Sequence, residues 1–248
     1  MIKLENLHKS FGNNDVLRGV NIEINKGSSM VVIGGSGTGK SVVLKCVLGL
    51  VTPDQGRIFV KGRDVTKTDQ DTFMSKFGML FQGGALFDSL PVWQNVAFRL
   101  LRGPKKINTD EAYEIAHEKL RRVGLSGNVA DKFPAELSGG MQKRVGLARA
   151  IAANPEIIFF DEPTTGLDPI MSGMINDLIR EIVVEIGATA ITITHDMRSV
   201  RTIADDVAML HDGIIQWTGP IADLNNSNDP YLDQFVKGHS DGPIETIR

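Results

Sequence analysis

Met30-Val31-Val32-Ile33 is a continuous apolar run that stops abruptly at Gly34-Gly35, the pattern of a strand buried on both faces. The stretch from Ser41 to Leu50 contains no breaker before Gly49 and predicts a helix. Two further runs, Ile157 to Phe160 and Ala188 to Thr194, predict core strands. Between them Met171, Met174, Ile175, Leu178, Ile182 and Ile186 recur at spacings of three and four, which predicts a helix from Ile170 to Ile186 with that face buried. Strand, crossover helix and strand imply a parallel sheet and an α/β fold.

The hydropathy pattern changes twice outside this core. Residues up to about Glu23 predict shorter, more polar strands forming an antiparallel edge. From Gly83 to about Ala153 the pattern is mostly helical, with helices expected at Val92 to Leu101, Thr109 to Val123 and Ser138 to Ala152, a lobe inserted into the core. Beyond Asp223 a polar stretch leads to one short helix near Tyr231 to Val236, and Gly238 to Arg248 is expected to be irregular.

Composition narrows the functional classes. The 248 residues are 42% hydrophobic and 23% charged, ordinary for a globular protein. A net charge of −3 without a dense Lys/Arg run argues against nucleic acid as a partner. No apolar stretch approaches the roughly 18 residues needed to span a bilayer, and Met1 to Glu5 lacks the apolar region of a secretory signal. Cys46 is the only cysteine, so no internal disulfide is expected, and a buried, inert thiol fits a reducing cytosol.

The candidate chemistry starts at Gly34-Gly35-Ser36-Gly37-Thr38-Gly39-Lys40-Ser41, a G-x-x-x-x-G-K-S loop between a predicted strand and helix. Such a loop turns backbone N–H groups inward around phosphate oxygens, and the following helix adds its positive end. Lys40 would bridge β- and γ-phosphates, and the Ser41 hydroxyl would ligate Mg²⁺. A dinucleotide loop is excluded because its third glycine would fall where Lys40 stands. Asp161 ends an apolar strand, which would lift a Mg²⁺-holding carboxylate to the sheet edge, and Glu162 follows as a candidate general base for an attacking water. His195 closes another strand and would reach the γ-phosphate from the same edge. Ser138-Gly139-Gly140 opens a helix, with Ser138 a natural N-cap, and makes a second anion site expected to meet ATP held by another copy of the chain. Blander readings remain beside these: Glu162 as a turn cap before Pro163, His195 as a surface residue, Ser138 as a plain cap.

In this order the elements resemble the ATP-binding cassette (ABC) ATPases over nearly the whole chain. The resemblance implies a P-loop NTPase (RecA-like) core with a mostly parallel sheet, an N-terminal antiparallel β edge and an inserted helical subdomain. It implies one nucleotide-binding domain over 1–248, with the α/β core at about 1–82 and 154–224, the helical subdomain at about 83–153 and a C-terminal helix and tail at about 225–248. In the family's terms Gly34 to Ser41 is the Walker A loop, Gln82 the Q-loop glutamine, Leu137 to Gln142 the signature, Asp161-Glu162 the Walker B pair, Gly166-Leu167-Asp168 the D-loop and His195 the switch histidine. Gln82 thereby joins the catalytic and Mg²⁺-binding sets, and Asp168 the ATP-binding set. Phe11 falls where the family places a tyrosine that stacks on adenine, keeping the ring and losing a hydroxyl.

The segment Phe81-Gln82-Gly83-Gly84-Ala85-Leu86-Phe87-Asp88-Ser89-Leu90 is similar to the MlaF-type ATPases, which drive lipid transport with Mce-domain proteins; Asp168-Pro169-Ile170 and Phe235 to Pro243 point the same way. That likeness implies ATP and Mg²⁺ as cofactors and a homodimer on the cytoplasmic face of the inner membrane. It also implies an integral, MlaE-like permease, an Mce-domain protein and a small STAS-type accessory protein as partners. Ala85, Leu86 and Phe87 are an expected contact for the permease. The alternatives are a small-solute cassette, for example for amino acids, and a soluble ABC protein without a transporter.

Overall fold

The N-terminal hairpin is longer than its polar sequence suggests. In the computed structural model, which describes residues 1–67, 77–102 and 106–245, the strands are β1 (Ile2–Phe11), β2 (Asn14–Ile24), β3 (Ser29–Ile33), β4 (Gln55–Val60), β5 (Arg63–Asp64), β6 (Phe77–Leu80), β7 (Ile157–Asp161), β8 (Thr189–Ile193), β9 (Asp206–His211) and β10 (Ile214–Pro220). The helices among the described residues are α1 (Lys40–Val47), α2 (Val92–Val96), α3 (Thr109–Arg122), α4 (Gly139–Ile151), α5 (Pro169–Ile186), α6 (Met197–Ile203) and α7 (Pro230–Lys237). The chain divides into two compact units, Met1–Met74 with Ile191–Arg248, and Ser75–Ala190.

In the first unit an antiparallel sheet has the order β2-β1-β4-β5. Its alternation would slip between Leu4 and Leu7, both buried. A bulge at Asn6, with φ 50°, absorbs the extra residue and keeps Leu7 inward. The displaced Asn6 N–H donates to Asn21 Oδ1 at 2.9 Å, so the bulge leaves no orphan donor. Beside this sheet, β3 pairs in parallel with β9, and β10 closes β9 antiparallel. All five residues of β3 are buried, as the unbroken apolar run predicts. Cys46 is buried on α1, and desolvation pushes its thiol up to about 11, so almost none is thiolate near neutral pH.

In the second unit β6 and β7 pair in parallel, Leu80 opposite Phe160. Phe77 and Phe159 pack there with ring centroids 5.3 Å apart. Helix α4 lies directly on β6, and two glycines make that approach possible. A Cβ on Gly78 would fall 2.2 Å from the Ala150 carbonyl oxygen, and one on Gly146 would fall 2.8 Å from Leu80 Cδ1. Asn108 caps α3 by accepting from Glu111 N–H at 2.9 Å, with Asp110 and Glu111 in the first turn and Lys119, Arg121 and Arg122 in the last, matching the helix dipole at both ends. The indole of Trp93 meets Tyr113 edge-on at 5.3 Å.

Several boundaries differ from the sequence expectations. Helix α1 ends at Val47, and α2 stops at Val96 instead of Leu101. Its β-branched and aromatic composition (Val92, Trp93, Val96, Phe98) holds a helix weakly. On α5 the buried stripe is Ile175, Ile179, Ile182 and Val183, with Asn176, while Met174 is 49% exposed. Counting apolar residues rotated the expected face, because Met171, Met174 and Leu178 flank the buried stripe. No helix among the described residues is long and apolar enough to cross a membrane.

The contact between α4 and β6 yields a test. Gly78→Ala should force the helix and strand apart and destabilise the fold by about 1–3 kcal/mol or more, the usual range for overpacking. A urea unfolding midpoint equal to that of the unaltered chain would show that this approach is not tight.

Candidate functional site

The residues singled out in the sequence fall into two sets, one in each unit. In the first unit β3 delivers the chain into the glycine loop. Gly34, at φ 149°, runs so close to β9 that a Cβ would lie 2.2 Å from the Leu210 carbonyl oxygen. Gly39, at φ 99°, caps α1 in the left-handed region, where a Cβ would lie 2.9 Å from Val16 Cγ1. These two positions admit only glycine, and the loop between them curls over the start of α1. Thr38 Oγ1 donates to Gly35 O at 2.9 Å. Lys40 is buried and donates from Nζ to Gly34 O at 2.8 Å and to Gly35 O at 2.6 Å, which draws the ammonium along the loop. Gly35 is partly covered, and Ser36, Gly37 and Ser41 are exposed on the loop's outer face.

His195 reaches the same edge of the same unit. Thr194 N–H donates to Val32 O at 3.3 Å, so His195 emerges two residues past the end of β8, near the start of the loop, and is exposed. Phe11 ends β1 and is 51% exposed, with Lys9 Nζ 5.4 Å from the ring centroid. A packed core aromatic would be covered, so the exposed face is available for stacking. Phe11 pairs across the hairpin with Asn14, two residues before the Val16 that packs on Gly39.

In the second unit the parallel register of β6 and β7 sets Gln82 and Glu162 each two residues beyond the Leu80–Phe160 pair, so both leave the sheet at one edge. Asp161 is the last residue of β7 and half-buried. Glu162 has φ 48°, a strained conformation for a non-glycine residue that turns the chain sharply after the strand. Two neighbours hold it there. Lys143 Nζ donates to the Glu162 carbonyl oxygen at 3.3 Å, and Thr165 Oγ1 donates to Glu162 Oε2 at 3.1 Å. Lys143 is 3% exposed; desolvation lowers its pKa while the charges of Glu162 and Asp161 oppose that shift.

Ser138 caps α4, accepting from Met141 N–H at 3.3 Å, and with Gly139 it is exposed at the helix start. Asp168 caps α5 through Oδ1, which accepts from Ile170 N–H at 2.9 Å and Met171 N–H at 3.0 Å. The two helix starts meet: a Cβ on Gly140 would lie 2.6 Å from Met171 Cε. Gly140, Gln82, Asp161, Glu162 and Asp168 therefore belong to one unit, whereas the glycine loop, Phe11 and His195 belong to the other.

Lys143 and Thr165 were not singled out in the sequence. Lys143 did carry a signal: it lies on the stripe Gly140, Lys143, Leu147 and Ala150, all buried. A lysine on a buried helical face implies a partner for its ammonium. Thr165 carried none, since its role depends on how the chain turns after Glu162. Chemically, the Ser41 hydroxyl in the first unit, and the Gln82 amide oxygen and Asp161 carboxylate in the second, are each the oxygen type of donor that a hard divalent cation such as Mg²⁺ takes. Among the described residues no group of three or more His, Cys, Asp and Glu side chains is placed to hold a metal ion.

Comparison with known proteins gives the family of the chain. Residues 17–165 match the family described as ABC transporter. The chain is 41% identical over 246 residues, 98% of its length and 70% of the relative's, to the probable ribonucleotide transport ATP-binding protein mkl of Mycobacterium leprae. It is 38% identical over 98% of its length to the intermembrane phospholipid transport system ATP-binding protein MlaF of Haemophilus influenzae, of which it covers 93%. Among solved structures, the ATP-binding cassette MJ0796, a dimer in a post-hydrolysis state bound to ADP and Pi, aligns with a TM-score of 0.81 and 31% identity over 89% of this chain and 99% of that one.

Proposed function

The chain belongs to the ABC transporter ATPases, and on that premise we propose that it works as a homodimer powering phospholipid transport through an integral-membrane permease. The single observation behind the dimer is the second anion site, the exposed, capped start of α4 at Ser138-Gly139, in a chain that already carries a phosphate loop. One copy's loop from Gly34 to Ser41 binds the ATP phosphates, and the partner copy's Ser138 helix meets the γ-phosphate with its free N–H groups. Hydrolysis removes that bridging anion and releases the two copies.

Within each copy, Lys40 leaves its loop carbonyls to bridge the β- and γ-phosphates, and Phe11 stacks on adenine. Ser41, Gln82 and Asp161 would hold Mg²⁺, which would offset phosphate charge when bound. Glu162 takes a proton from the attacking water, with its carboxylate aimed by Thr165 and its backbone held by Lys143. His195 contacts the γ-phosphate, and Asp168 anchors the D-loop at the start of α5. The whole chain, 1–248, reads as one nucleotide-binding domain on the cytoplasmic face of the inner membrane.

The phospholipid assignment rests on the MlaF relative, matched over almost all of both chains, together with the Phe81 to Leu90 segment. Its expected partners are an MlaE-like permease, an Mce-domain protein and a small STAS-type protein. Purification of the assembled membrane complex should yield bound phospholipid, and ATP hydrolysis by that complex in phospholipid vesicles should move lipid between membranes. A complex that instead carries a solute-binding protein and takes up a small polar solute would overturn the lipid reading and leave the ATPase intact.

Two variants test the chemistry. Glu162→Gln should keep ATP binding but lower turnover by roughly 10²- to 10⁴-fold, as expected for loss of a general base; undiminished hydrolysis would remove Glu162 from that role. Mixing Lys40→Ala chains with Ser138→Arg chains, each inactive alone, should restore hydrolysis, because every mixed dimer contains one intact composite site. A mixture that forms dimers and stays inactive would contradict the shared site.

A further inference from the structure

One face of α4 is given over to a single short segment. Gln142, Gly146 and Arg149, at spacings of four and three, all meet the turn at Gly84-Ala85. A Cβ on Gly84 would lie 3.1 Å from the Gln142 carbonyl oxygen, and one on Gly146 would lie 3.3 Å from Gly84 Cα. Arg149 closes the contact with a fork, donating to Ala85 O at 2.8 Å and to Gly84 O at 2.6 Å. The turn takes positive φ at three successive residues, 76° and 82° at Gly83 and Gly84, where glycine adopts it freely, and 45° at Ala85, the one strained position, which the Arg149 fork holds.

The far end of the same segment is held separately. Asn95 is fully buried; it accepts from Phe87 N–H at 2.7 Å and donates to Phe87 O at 3.1 Å and Leu90 O at 2.9 Å. Around these holds the chain presents apolar surface: Phe81, ahead of the first, is 39% exposed and Phe87, at the second, 42%, although Phe87 also stacks on Phe98 at 4.3 Å.

We propose that Arg149 is the mechanical link of this ATPase, a positioning residue that makes the Gly84 to Leu90 segment move with the Ser138 helix. Ser138 and Arg149 stand on opposite ends of one 13-residue helix. A shift imposed where Ser138 meets phosphate is carried along a rigid rod to the guanidinium, and from there to two backbone carbonyls of the segment. Desolvation lowers the Arg149 pKa without discharging it, so the fork stays charged at working pH. Two parallel N–H···O bonds transmit direction as well as distance, which one ammonium cannot do. The inference rests on the proposed nucleotide site only for the source of the shift.

The test uses the full chain with a reporter on the segment. Ser89 is exposed, and Cys46 is buried with its thiol held protonated, so Ser89→Cys takes an environment-sensitive thiol label selectively. A non-hydrolysable ATP analogue with Mg²⁺ should change the label's emission, and MgADP should not. In Arg149→Met the analogue should bind with affinity altered less than about three-fold, as for a change remote from the site, while the emission change is lost. Arg149→Lys should fold and bind normally and recover only part of the response. A full response in either variant, or a saturated parent whose label does not respond, overturns the link. Failure of the parent to bind the analogue at all would instead count against the nucleotide site.

Discussion

Backbone here repeatedly passes closer to backbone than any side chain permits, and the rest of the structure depends on those approaches. At Gly34 a Cβ would strike the carbonyl of Leu210, at Gly78 that of Ala150, and at Gly140 the end of Met171. Each contact joins an element that buries apolar surface to one that carries chemistry. Gly34 brings the phosphate loop down onto the sheet; Gly78 seats α4 on β6; Gly140 lets the starts of α4 and α5 share one location. A single methyl at Gly34 or Gly78 would cost more than the local contact, because it would push backbone away and displace the groups mounted beyond it, whereas at Gly140 it would meet only the flexible end of the Met171 side chain.

On that frame, helix ends and one strained carboxylate hold the groups that the proposed chemistry would use. Ser138 and Asp168 satisfy the first N–H groups of α4 and α5 with their own side chains, leaving neighbouring donors for an incoming anion. Glu162 sits at φ 48° just after β7, a conformation costing on the order of 1–3 kcal/mol. Lys143 and Thr165 offset that cost from the two sides of the residue. The buried ammonium of Lys143 in turn depends on the acidic pair for its charge, so strain and desolvation compensate each other within a few residues.

Strong periodicity was legible wherever one effect dominated. The fully buried β3 and the buried Ile157 to Phe160 of β7 follow from unbroken apolar runs, and the cap at Ser138 from a side chain suited to accept from the next turn. Where two effects compete the sequence was ambiguous. The expected face of α5 is rotated by about one position because Met171, Met174 and Leu178 extend the apolar surface beyond the buried stripe. The polar hairpin was expected to be short because the bulge at Asn6, which restores the alternation, has no signature beyond an asparagine.

By itself the sequence determined the order of elements, the glycine loop with Lys40 and Ser41, the strand ending in Asp161-Glu162, and the capped helix start at Ser138. All of these follow from local rules: periodicity, capping and the freedom of glycine. Only the tertiary structure decided that Lys143 would serve Glu162, that Arg149 would grip Gly84 and Ala85, and that Asn95 would hold the far end of the same segment. Lys143 and Glu162 are 19 residues apart in the chain, and Arg149 and Gly84 are 65 apart. Pairings at that distance are fixed by packing, because no local preference reaches across it.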